Sequence, residues 1–229
     1  MFKLIKLEWK KNNIAKYIRS AIIITGILML FLFASAKELE GAGTLESYEK
    51  GMLDVSVALF VHMTYIIFTG VMLASFIVGA YEKKTINLMF SYPIRRQKIL
   101  LSKIFAVWIF NFIAMTVSKV LIYVSLKAAG PLFSIKGEGI FLGSPEFWLK
   151  MILSSAVMVS VSFLALAVGM KMRSSKAVIV TSVLVVCLTQ GQIGAATLAD
   201  NLYFFIILLV LAGVAVYLSI YHVETKDLA

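Results

Sequence analysis

The chain has 229 residues, 61% of them hydrophobic and 15% charged, with a mean hydropathy of +0.94. A soluble domain carries about 45–50% apolar and about 25% charged residues. This composition and a single cysteine therefore exclude a soluble globular protein, a disordered chain and a disulfide scaffold. An integral membrane protein with several spans remains, and its net charge of +10 becomes a question of where the charges fall.

In chain order, residues 1–16 come first. Phe2, Ile5 and Trp9 fall on one helical face with Lys3, Lys6 and Lys10 beside them. That pattern fits an amphipathic interfacial helix on the inner membrane surface, its lysines near anionic headgroups. It also fits a plain basic flank that sets topology. Asn12-Asn13 marks its end.

A membrane helix needs about 20 mostly apolar residues. Uncharged runs predict six such spans, about 18–36, 56–81, 104–126, 146–170, 177–198 and 202–223. The runs do not alternate apolar with polar, which excludes a β-barrel. Ala34-Ser35-Ala36 looks like a signal-peptidase site. The basic lead-in before the first run is about 19 residues, longer than a secretory leader carries, so the segment is expected to be retained.

The segment 37–54 is an acidic outer loop, too small for a folded receptor domain. The next outer loop, 127–146, closes on Ser144-Pro145-Glu146. A capping hydroxyl, a proline at the first helical position and an acid near the positive dipole end predict a helix start there. Phe147 and Trp148 then fall at the interface. Gln190-Gly191-Gln192-Ile193-Gly194 interrupts the fifth run, as a helix end or a re-entrant break.

With the N-terminus inside, 16 of the 22 basic residues fall on the cytoplasmic side and five outside, with Lys119 left within a span. The positive-inside rule then places both termini in the cytoplasm. Nucleic-acid binding would gather basic residues on a soluble surface. Here they flank hydrophobic spans, so no nucleic-acid partner is expected. The fold predicted is an all-α membrane protein, one transmembrane domain over 1–229, multi-pass in a plasma membrane.

Five polar side chains within or beside spans are candidates for a translocation path: His62, Asn111, Lys119, Gln190 and Gln192. Lys119 lies about 22 Å along its span from Ile104 at 1.5 Å per residue, near the outer headgroups. Snorkelling is therefore the favoured reading over a path role. For His62 a hydrogen bond to a neighbouring helix is favoured over proton coupling, and the amides can equally be interhelical glue. Ala165-x-x-x-Gly169 and Gly191-x-x-x-Ala195 permit close helix packing. Cys187, mid-span, reads as a small buried hydrophobe.

The longest cytoplasmic loop, EKKTINLMFSYPIRRQKILLSK at 82–103, is more than a basic flank. Thr85 can cap a short helix. Ile86, Met89 and Phe90 share a face at i, i+3 and i+4. Pro93 stops that helix, and Arg95, Arg96 and Lys98 follow. Its apolar face needs cover from lipid headgroups or a partner protein.

In this slot the sequence resembles the membrane subunits of ABC-2-type ABC transporters, in which a cytoplasmic coupling helix joins spans two and three. That family's pattern is a Glu soon after the second span, then Gly-Thr, Leu-rich residues, Pro, a small aliphatic, a basic residue and Lys at the next span. Glu82, Thr85, Leu88, Pro93, Ile94, Arg95 and Lys103 match it in order. Lys84 departs from it, where glycine is common.

The resemblance covers the whole chain in span count and topology, and about 22 positions at residue level. It implies a coupling helix with Ile86, Leu88, Met89, Phe90 and Pro93 docking, and Arg95 and Arg96 as rim charges. It also implies an ATPase on separate subunits, two copies, and a second membrane subunit of the same or a homologous kind. By size it is similar to small permeases of bacterial peptide and antibiotic exporters, including bacitracin and lantibiotic immunity systems.

The chain holds no G-x-x-x-x-G-K-[ST], so ATP and Mg are expected on the partner and no cofactor on this chain. His62 and His222 are far apart, and no H-E-x-x-H, G-x-S-x-G or intramembrane acid cluster occurs. An enzyme and a metal site thus lack their ligands. The expected function is the permease of an ATP-driven exporter for a hydrophobic or amphipathic substrate. The alternative is a non-transporting scaffold or regulatory subunit, then an ion channel or secondary carrier. The carrier is weakened because no inverted repeat relates the two three-span halves.

Overall fold

Asn13 makes the first break in the chain. It adopts a left-handed conformation, φ 49°, which asparagine tolerates better than most residues. The amides of Asn12 and Asn13 bond back to the Glu8 and Lys10 carbonyls at 3.0 and 3.4 Å. This ends α1, Phe2–Lys11, where the asparagine pair predicted it.

The computed structural model describes residues 2–41, 52–82, 96–129, 144–190, 192–193, 196–197 and 202–225. After α1 come α2, Ile14–Gly41, and α3, Met52–Leu73. A π turn, Ala74–Val78, and the one-turn α4, Gly79–Glu82, prolong α3. Then follow α5, Arg96–Ala129; α6, Pro145–Val161; α7, Leu164–Met172; α8, Ser175–Gln190; and α9, Leu202–Thr225. Between α8 and α9, β1 (Gln192–Ile193) and β2 (Ala196–Thr197) form a short antiparallel ladder.

Among the described residues, four helical stretches are long and apolar enough to cross a membrane: Ile14–Ser35, Leu53–Glu82, Gln97–Ala128 and Pro145–Met172. Ser175–Gln190 and Ile206–Tyr217 are shorter apolar stretches. The helices outrun the predicted spans. Lys16 and Arg19 lie inside α2, and α5 begins at Arg96 rather than near 104. A long basic side chain can lay its stem along apolar helix and lift its head away, so a charge that ends an uncharged run need not end the helix.

In the fifth predicted span, 177–198, where the stretch 190–194 was expected to interrupt the run, α8 ends at Gln190 after 16 residues. At 1.5 Å per residue that is about 24 Å of helix, against about 30 Å of hydrocarbon. The glycines that follow in sequence are poor helix formers. α6 begins at Pro145, as the Ser144-Pro145-Glu146 signature predicts.

The contacts divide the chain into two units. The first comprises Met1–Ile14, Met63–Phe112 and Ala156–Ala229, and the second Ala15–His62 and Ile113–Ser155. In the first, α7 packs against α8 and α9, and the π turn against α7 and α8. Small residues allow the approach. A Cβ on Gly169 would overlap the Val178 side chain, and one on Gly70 would sit 2.5 Å from Ser182 Cβ and Oγ. The Ala165-x-x-x-Gly169 pattern thus serves close packing.

α7 ends with Arg173 in the left-handed region, φ 48°. The amides of Arg173 and Ser174 bond to the Met170 and Gly169 carbonyls, a Schellman closure that turns the chain into α8.

In the second unit Leu28 and Leu32 of α2, Val57 and Val61 of α3, Met115 and Ile122 of α5, and Met151 of α6 are buried, together with polar side chains that include His62 and Lys119. Ile22, Ile23, Ile27 and Leu30 of α2 are each more than 60% exposed, a contiguous apolar surface that suits lipid rather than water.

Candidate functional site

Of the residues predicted to couple to an ATPase, Thr85, Ile86, Leu88, Met89, Phe90, Pro93 and Arg95 lie outside the described residues. The two ends of that loop are described, at Glu82 and at Arg96, and both belong to the first unit.

At the leading end, the π turn disturbs the regular ladder: the Gly79 amide reaches back to both the Ala74 and Ile77 carbonyls. A widened turn tilts carbonyls outward, where a side chain can insert. Lys103 of α5 does so, its Nζ donating to the Phe76 carbonyl at 2.8 Å. The same ammonium lies 3.5 Å from Glu8 Oε2 of α1. α1 is further tied to α5 by Trp9 Nε1, which donates to the Ala106 carbonyl at 3.1 Å. Asn12 Nδ2 donates to Glu8 Oε2 at 3.2 Å.

Lys103 was counted from the sequence as a loop charge; it is instead 3% exposed within a helix. Glu8 escaped sequence reasoning. The signal was available, since Glu8 shares the helical face of Ile5 and Trp9 rather than that of the lysines. Lys6, Lys10 and Lys11 are exposed, as is Leu7.

One turn past the π segment, Glu82 Oε2 accepts hydrogen bonds from the Ser175 amide at 3.2 Å and the Ser175 hydroxyl at 2.6 Å. The first amides of a helix lack intrahelical acceptors and carry the positive end of its dipole. Glu82 thus caps α8 from another element. The acid that opens the family-like motif is in this fold a link between α4 and the start of α8.

The path candidates separate into different settings. In the second unit, His62 and Lys119 meet, with Nζ and Nε2 2.8 Å apart. Lys119 Nζ also donates to Ser154 Oγ at 3.0 Å, and that hydroxyl donates to the Met151 carbonyl. With the ammonium donating, the imidazole accepts at Nε2. The hydrogen bond expected of His62 is therefore present.

The snorkelling reading of Lys119 is corrected, since the side chain is 1% exposed. Rise along a helix fixes depth and leaves azimuth open. This residue's azimuth points into protein. Two further polar pairs lie in the same unit, Thr25 Oγ1 with Ser118 Oγ at 2.6 Å and Tyr123 donating to Asp54 Oδ1.

In the first unit Asn111 is fully buried. Its Nδ2 donates to the Val107 carbonyl at 2.9 Å and to Met72 Sδ at 3.3 Å, the role of interhelical glue. Asn111 Oδ1 and Gln190 Nε2 are buried without a hydrogen-bond partner among the described residues. Gln192 pairs with Thr197 in the two-residue ladder. Cys187, read as buried, is exposed on α8. Among the described residues no three His, Cys, Asp or Glu side chains gather as a metal site requires.

A family model described as ABC-2 family transporter protein matches residues 4–189. The uncharacterized protein YcbO of Bacillus subtilis (strain 168) is 27% identical over 234 aligned positions, which cover 98% of this chain and 99% of that protein. No solved structure matches.

Proposed function

The chain belongs to the ABC-2 family of transporter membrane proteins, and on that premise we propose that it is the permease subunit of an ATP-driven exporter. It is a multi-pass protein of the bacterial membrane and a membrane component rather than an ATPase. Such permeases generally work with an ABC ATPase. Two ATPase copies supply ATP and Mg binding, and a second membrane subunit completes the path. The substrate is hydrophobic or amphipathic, a peptide or an antibiotic. In this reading the chain makes six spans with both termini in the cytoplasm, and residues 82–103 then face the ATPase.

The observation that supports this reading best is the family match over residues that include the whole 82–103 stretch. The ends of that stretch are tied into the fold through Glu82 and Lys103. A loop docked on a moving ATPase works only if its flanking helices transmit the displacement.

The test is copurification from native membranes. An ABC ATPase subunit should accompany the wild-type chain and be lost from Met89→Asp plus Phe90→Asp, which charges the predicted docking face. Retention of the ATPase by that variant would sink the docking claim. ATP-dependent flux into reconstituted vesicles separates a permease from a non-transporting scaffold, which gives none.

A further inference from the structure

One ammonium serves three elements. Lys103, near the start of α5, holds the Phe76 carbonyl of the π turn and the Glu8 carboxylate of α1 at once. It is 3% exposed and Glu8 8%. Glu8 Oε2 is also held by Asn12 Nδ2 at 3.2 Å, where α1 ends, so the carboxylate is fixed from its own helix as well. The ammonium carries three rotatable donors on a flexible four-carbon stem, which alone would not keep it on one carbonyl. A second anchor sets its direction, and Glu8 provides it.

We propose that Glu8 is a positioning residue. It holds the Lys103 ammonium on the π-turn carbonyl, so that α1, the π turn and the start of α5 move as one joint. These are the elements on either side of the predicted coupling stretch, joined to a helix that precedes every span. The functional consequence rests on the permease reading above: ATPase movement delivered to this stretch would reach α1 as well as the two spans, and α1 would in turn set the resting position of both.

The experiment reads the joint in the full chain in lipid nanodiscs, with Cys187→Ser removing the native thiol. Spin labels at Ser75 and Lys98, both exposed, report the distance across the joint. A control pair at Val55 and Val124, also exposed, reports the second unit. Glu8→Ala should broaden the Ser75–Lys98 distribution and leave the control pair narrow. Glu8→Gln, which keeps an acceptor oxygen without the charge, should broaden it less and serves where the alanine variant fails to assemble.

An unchanged Ser75–Lys98 distribution in both variants would overturn the assignment. So would equal broadening of the control pair, the mark of general loosening. In complex with an ABC ATPase, Glu8→Ala should lower kcat for ATP while KM, a property of the ATPase pocket, stays put; an unchanged kcat counts against transmission through the joint. Absence of any ATPase from the wild-type complex, with the distances behaving as stated, would count against the permease reading and leave the joint standing.

Discussion

Lys103 and Lys119 lie on the same helix and are almost equally buried, at 3% and 1% exposure, yet their surroundings are opposite in kind. Lys103 has a carboxylate and a backbone carbonyl. Lys119 hydrogen-bonds a ring nitrogen and a hydroxyl, and the Asp54 carboxylate acts on it through space rather than through a hydrogen bond. A buried ammonium with its carboxylate is half of a pair, and removing it strands the other half. A buried ammonium without one is itself the group whose desolvation goes unrepaid. Burial of a lysine in a membrane helix therefore predicts nothing about stability until its partners are known. The first unit uses its lysine as a joint, and the second carries its lysine at a cost.

The contrast predicts its largest effect at Lys103. Lys103→Met leaves the buried Glu8 carboxylate with Asn12 Nδ2 but no counter-charge from Lys103, and the Phe76 carbonyl without the ammonium. The expected loss is about 3–5 kcal/mol, read from denaturant unfolding in detergent micelles. Adding Glu8→Leu should recover a large part of it, because an apolar pair of similar volume leaves no charge behind. A loss below about 1 kcal/mol, or no recovery in the double variant, would erase the distinction between the two lysines.

A second test asks whether the first unit depends on that joint alone. Its helices also meet through Gly169, where a Cβ would overlap Val178. Gly169→Val should destabilise by about 1–3 kcal/mol through overpacking, and Val178→Ala should relieve it by returning the volume. The same substitution at Gly213, where a Cβ meets nothing within 4 Å, should have no such steric effect. Equal effects at both glycines would mean that helix propensity, and not approach, is what the measurement sees.

How much of this was legible in the sequence follows from what sequence patterns encode. Uncharged run length located the four long apolar helices, because lipid thickness is a length constraint that composition reports directly. At α8 the helix ends at Gln190, at the start of the glycine-containing stretch read from the sequence as a helix end or a break. The order Glu82, Thr85, Pro93, Arg95 and Lys103 carried the family resemblance, and the family match shows the family, while residues 83–95 lie outside the described residues. Partners were not legible. Lys119 was given the wrong direction, since rise per residue fixes only position along a helix and direction comes from packing against other helices. His62 was expected to bond a neighbouring helix, and nothing in its own sequence named Lys119. Glu8 was the most recoverable omission: an acid on the Ile5 and Trp9 face of a basic helix asks for a buried cation.

The smallest effect on stability is expected at Lys119, and it decides most about function. Lys119→Met breaks no hydrogen bond to a carboxylate, and Asp54, which feels the lysine's charge, keeps the Tyr123 hydroxyl. His62 keeps an imidazole that is neutral when it accepts, and the Ser154 hydroxyl keeps its bond to the Met151 carbonyl at 3.0 Å. Unfolding free energy should stay within about 1 kcal/mol of wild type or rise, the opposite sign from Lys103→Met in the same assay. A loss of about 3 kcal/mol would show that Asp54 serves Lys119 as a full counter-charge and make the two lysines alike. If stability holds and ATP-dependent flux is lost, the His62–Lys119 pair is retained for translocation at the expense of stability. If both hold, the pair is interhelical glue, and the path must be sought along other faces of the helices.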